Sequence, residues 1–185
     1  MAGVSEIRLV SIGDVDRELL EYLMLALPGT FAARSVEVAT NLNPQDAYNA
    51  TRRQYHSTQL LAKLRELDHG HACKILGVTE VDLFIPIFTF VFGEAQVNNS
   101  AALMSTHRLH QRFYGLPEDR ELLFARAEKE AVHELGHAFG MAHCLNFDCV
   151  MRFSNSVEDV DLKASDFCRL CEARLRQECG STLAA

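Results

Sequence analysis

Residues 133–143 read HELGHAFGMAH, the pattern H-E-x-x-H-x-x-G-x-x-H. His133 and His137 are four residues apart. At about 3.6 residues per turn this spacing stacks both imidazoles on one face of a helix, where they can reach a single ion. Glu134 sits about 100° further round the helix. It can reach a water on that ion without being a ligand. Leu123, Ala127, Ala131, Leu135 and Ala138 recur at helical spacing and form an apolar stripe roughly opposite His133. The histidines are therefore expected to face away from the packed side, toward a cleft. Gly115-Leu116-Pro117 introduces this helix, which the pattern predicts over about 118–139. Gly140 is expected to end it in the left-handed conformation, turning the chain so that His143 approaches the same ion. Three imidazoles leave a fourth tetrahedral position open, which marks a catalytic zinc site and not a structural one. Such an ion would acidify a water and polarise a substrate carbonyl. Glu134 would take up the proton and return it to a leaving amine. The expected reaction is hydrolysis of a peptide or similar amide.

Cys144 follows His143 directly, and Cys149, Cys168 and Cys171 complete a C-x4-C…C-x-x-C set. Four thiolates in that arrangement suit a closed, structural zinc site. It would tie the loop after the histidine helix to a C-terminal helix at about 164–178, in a small lower subdomain whose folding draws on metal binding. A redox C-x-x-C and a pair of disulfides are the rival readings, and disulfides need an oxidising compartment. The N-terminal MAGVSEIRLVSIGDV has no basic segment followed by an apolar stretch and a cleavage site. No apolar run approaches the ~20 residues that cross a bilayer. A cytoplasmic protein without a membrane partner is expected. Cys73 reads as a plain buried thiol, and Cys179, near the end of the chain, as incidental. Met151, eight residues past His143, suits either an apolar floor beneath the imidazoles or an ordinary core position. Spacing leaves both open.

The 185 residues are 48% hydrophobic and 23% charged, enough for one domain, 1–185, with a real core. The net charge of −7 disfavours a nucleic-acid partner, which would want a basic surface. Arg52-Arg53 falls in a predicted helix and reads as a solvated face. Strands are expected at 6–14, 34–40, from 73 to 77, within 82–95 and at 100–107. Helices are expected at 16–27, with Asp14 or Asp16 as N-cap, and largely across 45–68, where Leu60, Leu61, Leu64 and Leu67 form a stripe. This alternation predicts an α/β fold around an open, mixed, mostly parallel twisted sheet, with one or two antiparallel strands in 87–107.

The extended histidine motif, Cys144, the run Cys149-Val150-Met151 and the final C-x-x-C together resemble the metzincin clan of zinc metalloproteases, and within it the archaemetzincin family. The similarity continues more loosely through GVTEVDLFIPIFTFVFGEA at 77–95. The resemblance implies two zinc ions per chain and a Met-turn at Met151. It also implies an upper subdomain, 1–140, with the sheet and active-site helix, and a lower one, 141–185. Carried over by position, His133, His137 and His143 hold catalytic zinc, Glu134 is the general base, and Cys144, Cys149, Cys168 and Cys171 hold the structural zinc. One departure is Phe88-Thr89, where the family tends to carry Leu-Asn before Phe-Val-Phe-Gly. The implied activity is that of a peptidase acting on peptides or small proteins; the sequence leaves the oligomeric state open, with a monomer favoured. In metzincins an edge strand above the zinc binds extended substrate by strand addition; Ser100–His107 is the candidate here, with an ordinary sheet strand as the equal alternative. A non-catalytic peptide- or partner-binding module that retains the zinc-stabilised fold is the competing function, and intact Glu134 argues against it. A zinc-knuckle adaptor for nucleic acid is opposed by the acidic charge.

Overall fold

Ile7, Leu9, Val10 and Ile12 are all fully buried, although alternate residues of a strand face opposite ways. That pattern requires a sheet covered on both faces. The computed structural model describes residues 6–67 and 73–178, with backbone alone at 36–39. Cys179 and the residues after it lie outside the described part.

Strand β1 (Glu6–Ile12) lies between β2 (Arg34–Leu42) and β5 (Cys73–Thr79). The sheet continues through β8 (Ala101–Ser105) to β7 (Gly93–Ala95), in the order β2-β1-β5-β8-β7. All pairings are parallel except β7 with β8. The expected mixed, mostly parallel twisted sheet is what forms. Helix α1 (Arg17–Phe31), capped by the Asp16 carboxylate on the Glu18 N–H, packs on one face together with α3 (Arg120–Ala138). Ile7, Leu9, Leu76, Val78, Ala102 and Met104 point into that layer. Helix α2 (Ser57–Glu66) covers the other face, with Leu60, Leu61 and Leu64 against Val10, Ile12, Ile75 and Leu103. A Cβ at Gly77 would overlap the Leu64 side chain, so glycine lets α2 lie close on the sheet.

Several expectations give way. The predicted helix 45–68 is helical only in α2. Before it come a 3-10 turn at Gln45–Ala47 and short strands β3 (Tyr48–Asn49) and β4 (Gln54–His56), which form a second sheet with β6 (Leu83–Phe84). The cause is local. The Asn49 carboxamide accepts from the Arg52 N–H at 3.0 Å, Arg53 takes a positive φ of 56°, and the chain reverses between paired Tyr48 and Tyr55 rings. Arg52 is not a solvated face. It stacks over Phe84 and donates to the Phe88 and Thr89 carbonyls. The apolar run 82–95 breaks into β6, an irregular loop and β7, because Pro86 lacks an N–H for a ladder and side chains of Arg52 and Gln54 take the loop's carbonyls. Ser100–His107 is not an edge: β8 is fully buried between β5 and β7.

Candidate active site

Helix α3 starts where the Asp119 carboxylate accepts the Leu122 N–H at 2.9 Å, and it runs to Ala138. As the stripe predicts, Leu123, Ala127, Ala131, Leu135 and Ala138 pack into the core while His133, Glu134 and His137 line a cavity. Strand β7 and the segments after the helix close over that face, so that Glu130 to Ala138 are all buried. At its end the Gly140 N–H bonds to the His137 carbonyl and the Met141 N–H to the Gly136 carbonyl, both at 2.9 Å. This paired closure needs a left-handed residue, and Gly140 supplies it with φ of 95°.

The turn carries His143 back to the helix. His137 Nε2 lies 3.2 Å from His133 Nε2 and 3.2 Å from His143 Nε2. Tetrahedral zinc with bonds of about 2.0–2.1 Å holds its nitrogen ligands about 3.3 Å apart, so the three atoms fit one such ion. The outer nitrogens support the same orientation. His133 Nδ1 donates to the Val150 carbonyl and His137 Nδ1 to the Met141 carbonyl, each at 2.8 Å. A carbonyl only accepts, so each Nδ1 carries the proton and each Nε2 presents a lone pair. Burial, with Lys163 and His137 nearby, pushes His133 well below the usual imidazole range, and burial lowers His137 as well. Both rings are neutral at pH 7.

Glu134 lies against the same cavity, which has a volume of about 270 Å³. Burial foremost, then the carboxylates of Glu130 and Glu94, pushes its carboxyl well above the usual range, and Lys163 works against them. A proton acceptor of raised affinity beside a metal site is what proton transfer requires. Its place depends on Gly93: a Cβ there would come within 2.7 Å of Glu134 Oε1 and 2.5 Å of the Leu103 carbonyl. Gly136 plays a similar part beneath the helix. A Cβ there would overlap Met151 Sδ, so glycine lets this fully buried methionine sit under the histidine turn. The floor reading of Met151 therefore has a geometric basis that spacing alone left open.

The four cysteines also converge, with all sulfurs within 4.8 Å of one another and none in a disulfide. Cys144 and Cys168 sulfurs are 3.8 Å apart, the separation that bonds of about 2.3 Å to a tetrahedral zinc produce. Backbone N–H groups of Asn146 and Cys168 donate to the Cys144 and Cys149 sulfurs. The Cys171 N–H on Cys168 brings that thiol down to about 7, while burial raises Cys171. The cluster joins the loop after the histidines to α5 (Arg169–Glu178), which starts later than expected. A short helix α4 (Val157–Leu162) lies between them and was not expected. Cys73 is buried and apart from both clusters.

Sequence reasoning missed Glu130 and Lys163. Both line the cavity, and Lys163 Nζ lies 2.9 Å from Glu130 Oε1 with side chains almost wholly buried. Glu130 falls on the same helix face as Glu134, a signal that was available, whereas Lys163 comes from 33 residues away and has no local pattern. The edge strand beside the cavity is β7, with Gly93, Glu94 and Ala95 on its wall, in place of β8.

A model of peptidase family M54 matches residues 21–177. An archaemetzincin of Methanocaldococcus jannaschii is 40% identical over 176 residues, covering 95% of this chain and 96% of the relative. One of Pyrococcus furiosus is 46% identical over 135 residues, 72% of this chain and 70% of the relative. Among solved structures, the archaemetzincin of Archaeoglobus fulgidus, in complex with malonate, superposes with a TM-score of 0.80 at 39% identity, covering 91% of this chain and 99% of that one. A zinc-dependent peptidase of Methanocorpusculum labreanum gives a TM-score of 0.83 at 29% identity, over 92% of this chain and 100% of that one.

Proposed function

Since this chain belongs to the archaemetzincins, peptidase family M54 within the metzincin clan of zinc-dependent peptidases, we propose that His133, His137 and His143 hold the catalytic zinc and that Glu134 is the general base of peptide-bond hydrolysis. The observation that carries this reading is the convergence of three lone-pair-bearing Nε2 atoms beside the buried Glu134 carboxyl in one cavity. Bound zinc would supply a Lewis acid and an acidified water. Glu134 accepts the proton at its carboxylate and passes it to the leaving amine. Val150 and Met141, through their carbonyls, keep the imidazoles in the ligand tautomer. As the outermost strand of the sheet, β7 offers backbone to an extended peptide.

Cys144, Cys149, Cys168 and Cys171 hold a second, structural zinc in this reading, and the sulfur spacing and N–H···S bonds support it. Two zinc ions per chain follow. Thiols gathered for a metal instead of paired as disulfides support a reducing compartment, the cytoplasm. No helix among the described residues is long and apolar enough to cross a membrane. Cavity residues drawn from both sides of Gly140 support the division of one catalytic domain into parts 1–140 and 141–185.

The test is digestion of a mixture of short peptides by zinc-loaded protein, read by mass spectrometry. Products that vanish with a chelator and return with added zinc are expected. Peptides retained without any products would instead make the chain a binding module. Gly93→Ala adds a sharper expectation. Its methyl presses on both the Leu103 carbonyl and the Glu134 side chain and touches no metal ligand, so the carboxylate must move, and misplacement of a reacting group by about 1 Å costs about 10²-fold. Turnover should fall by that order while metal content stays at two per chain; unchanged turnover would mean that the position of Glu134 is immaterial.

A further inference from the structure

The cavity does not end at the imidazoles. It continues along α3 past Glu134 to Glu130, one helical turn or about 6 Å nearer the helix start, where Lys163 closes it. Lys163 is an ammonium group with three N–H donors and a side chain 0% exposed. Among the described residues, Glu130 is the one acceptor within hydrogen-bonding distance of Nζ. This is a costly arrangement for a wall that merely fills space, because a buried ion pair offers little net stability over apolar residues of the same volume. The rest of the wall is largely apolar, with Phe90, Phe92 and Phe153.

We propose that the Glu130–Lys163 pair determines specificity as the floor of the pocket for the substrate side chain just after the scissile bond, and that it selects a carboxamide, glutamine above all. The inference rests on the peptidase reading above, because the location follows from the role of Glu134. The group that protonates the leaving amine stands beside the residue bearing that amine, and the pair lies one turn beyond it. The chemistry follows from the pair itself. A carboxamide oxygen can accept from Lys163 Nζ while its NH2 donates to the Glu130 carboxylate. An aliphatic chain would lie against both and return no hydrogen bond. A carboxylate would meet Glu94, Glu130 and Glu134 against a single lysine.

The experiment measures binding and cleavage separately. Zinc-loaded Glu134→Gln protein, which should not turn substrate over, is titrated calorimetrically with the product-like dipeptides Gln-Ala, Glu-Ala and Leu-Ala. The same titration is run with Glu130→Gln/Lys163→Met added, a pairing that keeps volume and removes both charges. Gln-Ala should bind about 10- to 100-fold tighter than Leu-Ala in the first protein. In the second the preference should vanish or reverse, at unchanged zinc content. Equal or tighter binding of Leu-Ala in the first protein, or a glutamine preference that survives in the second, overturns the proposal. Should the added changes prevent folding, wild-type digests decide: glutamine after the cut supports it and leucine overturns it. Wild-type protein that cleaves nothing while Glu134→Gln protein prefers Gln-Ala would sink the peptidase reading and leave the pocket's selectivity standing. Cleavage without any such preference would sink the selectivity alone.

Discussion

Glu134→Gln should lower kcat by about 10²- to 10⁴-fold, the span that a positioned acid–base group contributes, while the protein keeps both metals and its thermal midpoint. The substitution preserves shape and removes the ability to hold the transferred proton. Three features make the effect large and local. Glu134 is buried in the cavity wall, so bulk solvent does not readily replace it. Its raised proton affinity comes from burial and from Glu130 and Glu94, which the substitution leaves in place. It is not one of the three imidazoles of the proposed zinc site, and the tautomers of His133 and His137 are set by the Val150 and Met141 carbonyls and not by Glu134. The stability side has a definite sign. A carboxyl pushed up by burial is more easily kept neutral than charged, so a neutral amide in its place does not cost what an unpaired charge would. Steady-state kinetics with metal analysis checks both halves. Full turnover would assign the proton transfer elsewhere. Lost metal would show that Glu134 supports the ligand cage and is not only its base.

The residues of that cage were legible because their geometry is local. Two histidines one turn apart, a left-handed glycine and a third histidine form a pattern that a helix and its closing turn translate directly into three converging nitrogens. The cysteines were legible for a different reason. A reducing compartment leaves few uses for four clustered thiols, and the structure brings all four together. What escaped depends on contacts between distant segments. Lys163 carries no periodicity and finds Glu130 only when the chain after the Met151 turn folds back on α3. Gly93 lies within the 82–95 run without a signal of its own, and its close approach to Glu134 appears only once β7 lies over α3. The edge assignment failed because strand order is set by long-range pairing: Ala101–Ser105 lies between β5 and β7, which no local pattern in the sequence reveals. The long helix over 45–68 failed at Asn49, whose side chain competes with the backbone ladder and turns the chain.

Cys149→Ser should be the most damaging single change to the sulfur cluster, because Cys149 belongs to the buried core as well as to the four-thiol set. Cys149 is 1% exposed, its sulfur accepts the Cys168 N–H, and its own N–H bonds to the Asn146 carbonyl. On its other side the chain has little support: Leu145 is 103% exposed and Phe147 is exposed as well, whereas Val150 and Met151 are fully buried in the core. Structural zinc contributes about 10–16 kcal/mol in small domains, against whole-domain stabilities of about 5–15 kcal/mol. A serine hydroxyl is a poor substitute for a thiolate, so the three remaining sulfurs would hold the ion weakly. A net loss of about 4 kcal/mol would lower the thermal midpoint by roughly 8–16 °C for a chain of this size. The damage should also reach the histidines. The Val150 carbonyl that orients His133, and the Met151 carbonyl that accepts the Cys144 N–H, belong to the segment that Cys149 anchors. Metal content should therefore fall from two per chain to one or fewer, with new protease cuts between 144 and 168. Cys73→Ser, which changes a thiol at the start of β5 outside both clusters, should keep two. If Cys149→Ser kept both metals and the parent midpoint, the sulfur cluster would be a set of packed thiols and the lower part of the fold would stand on its apolar contacts alone.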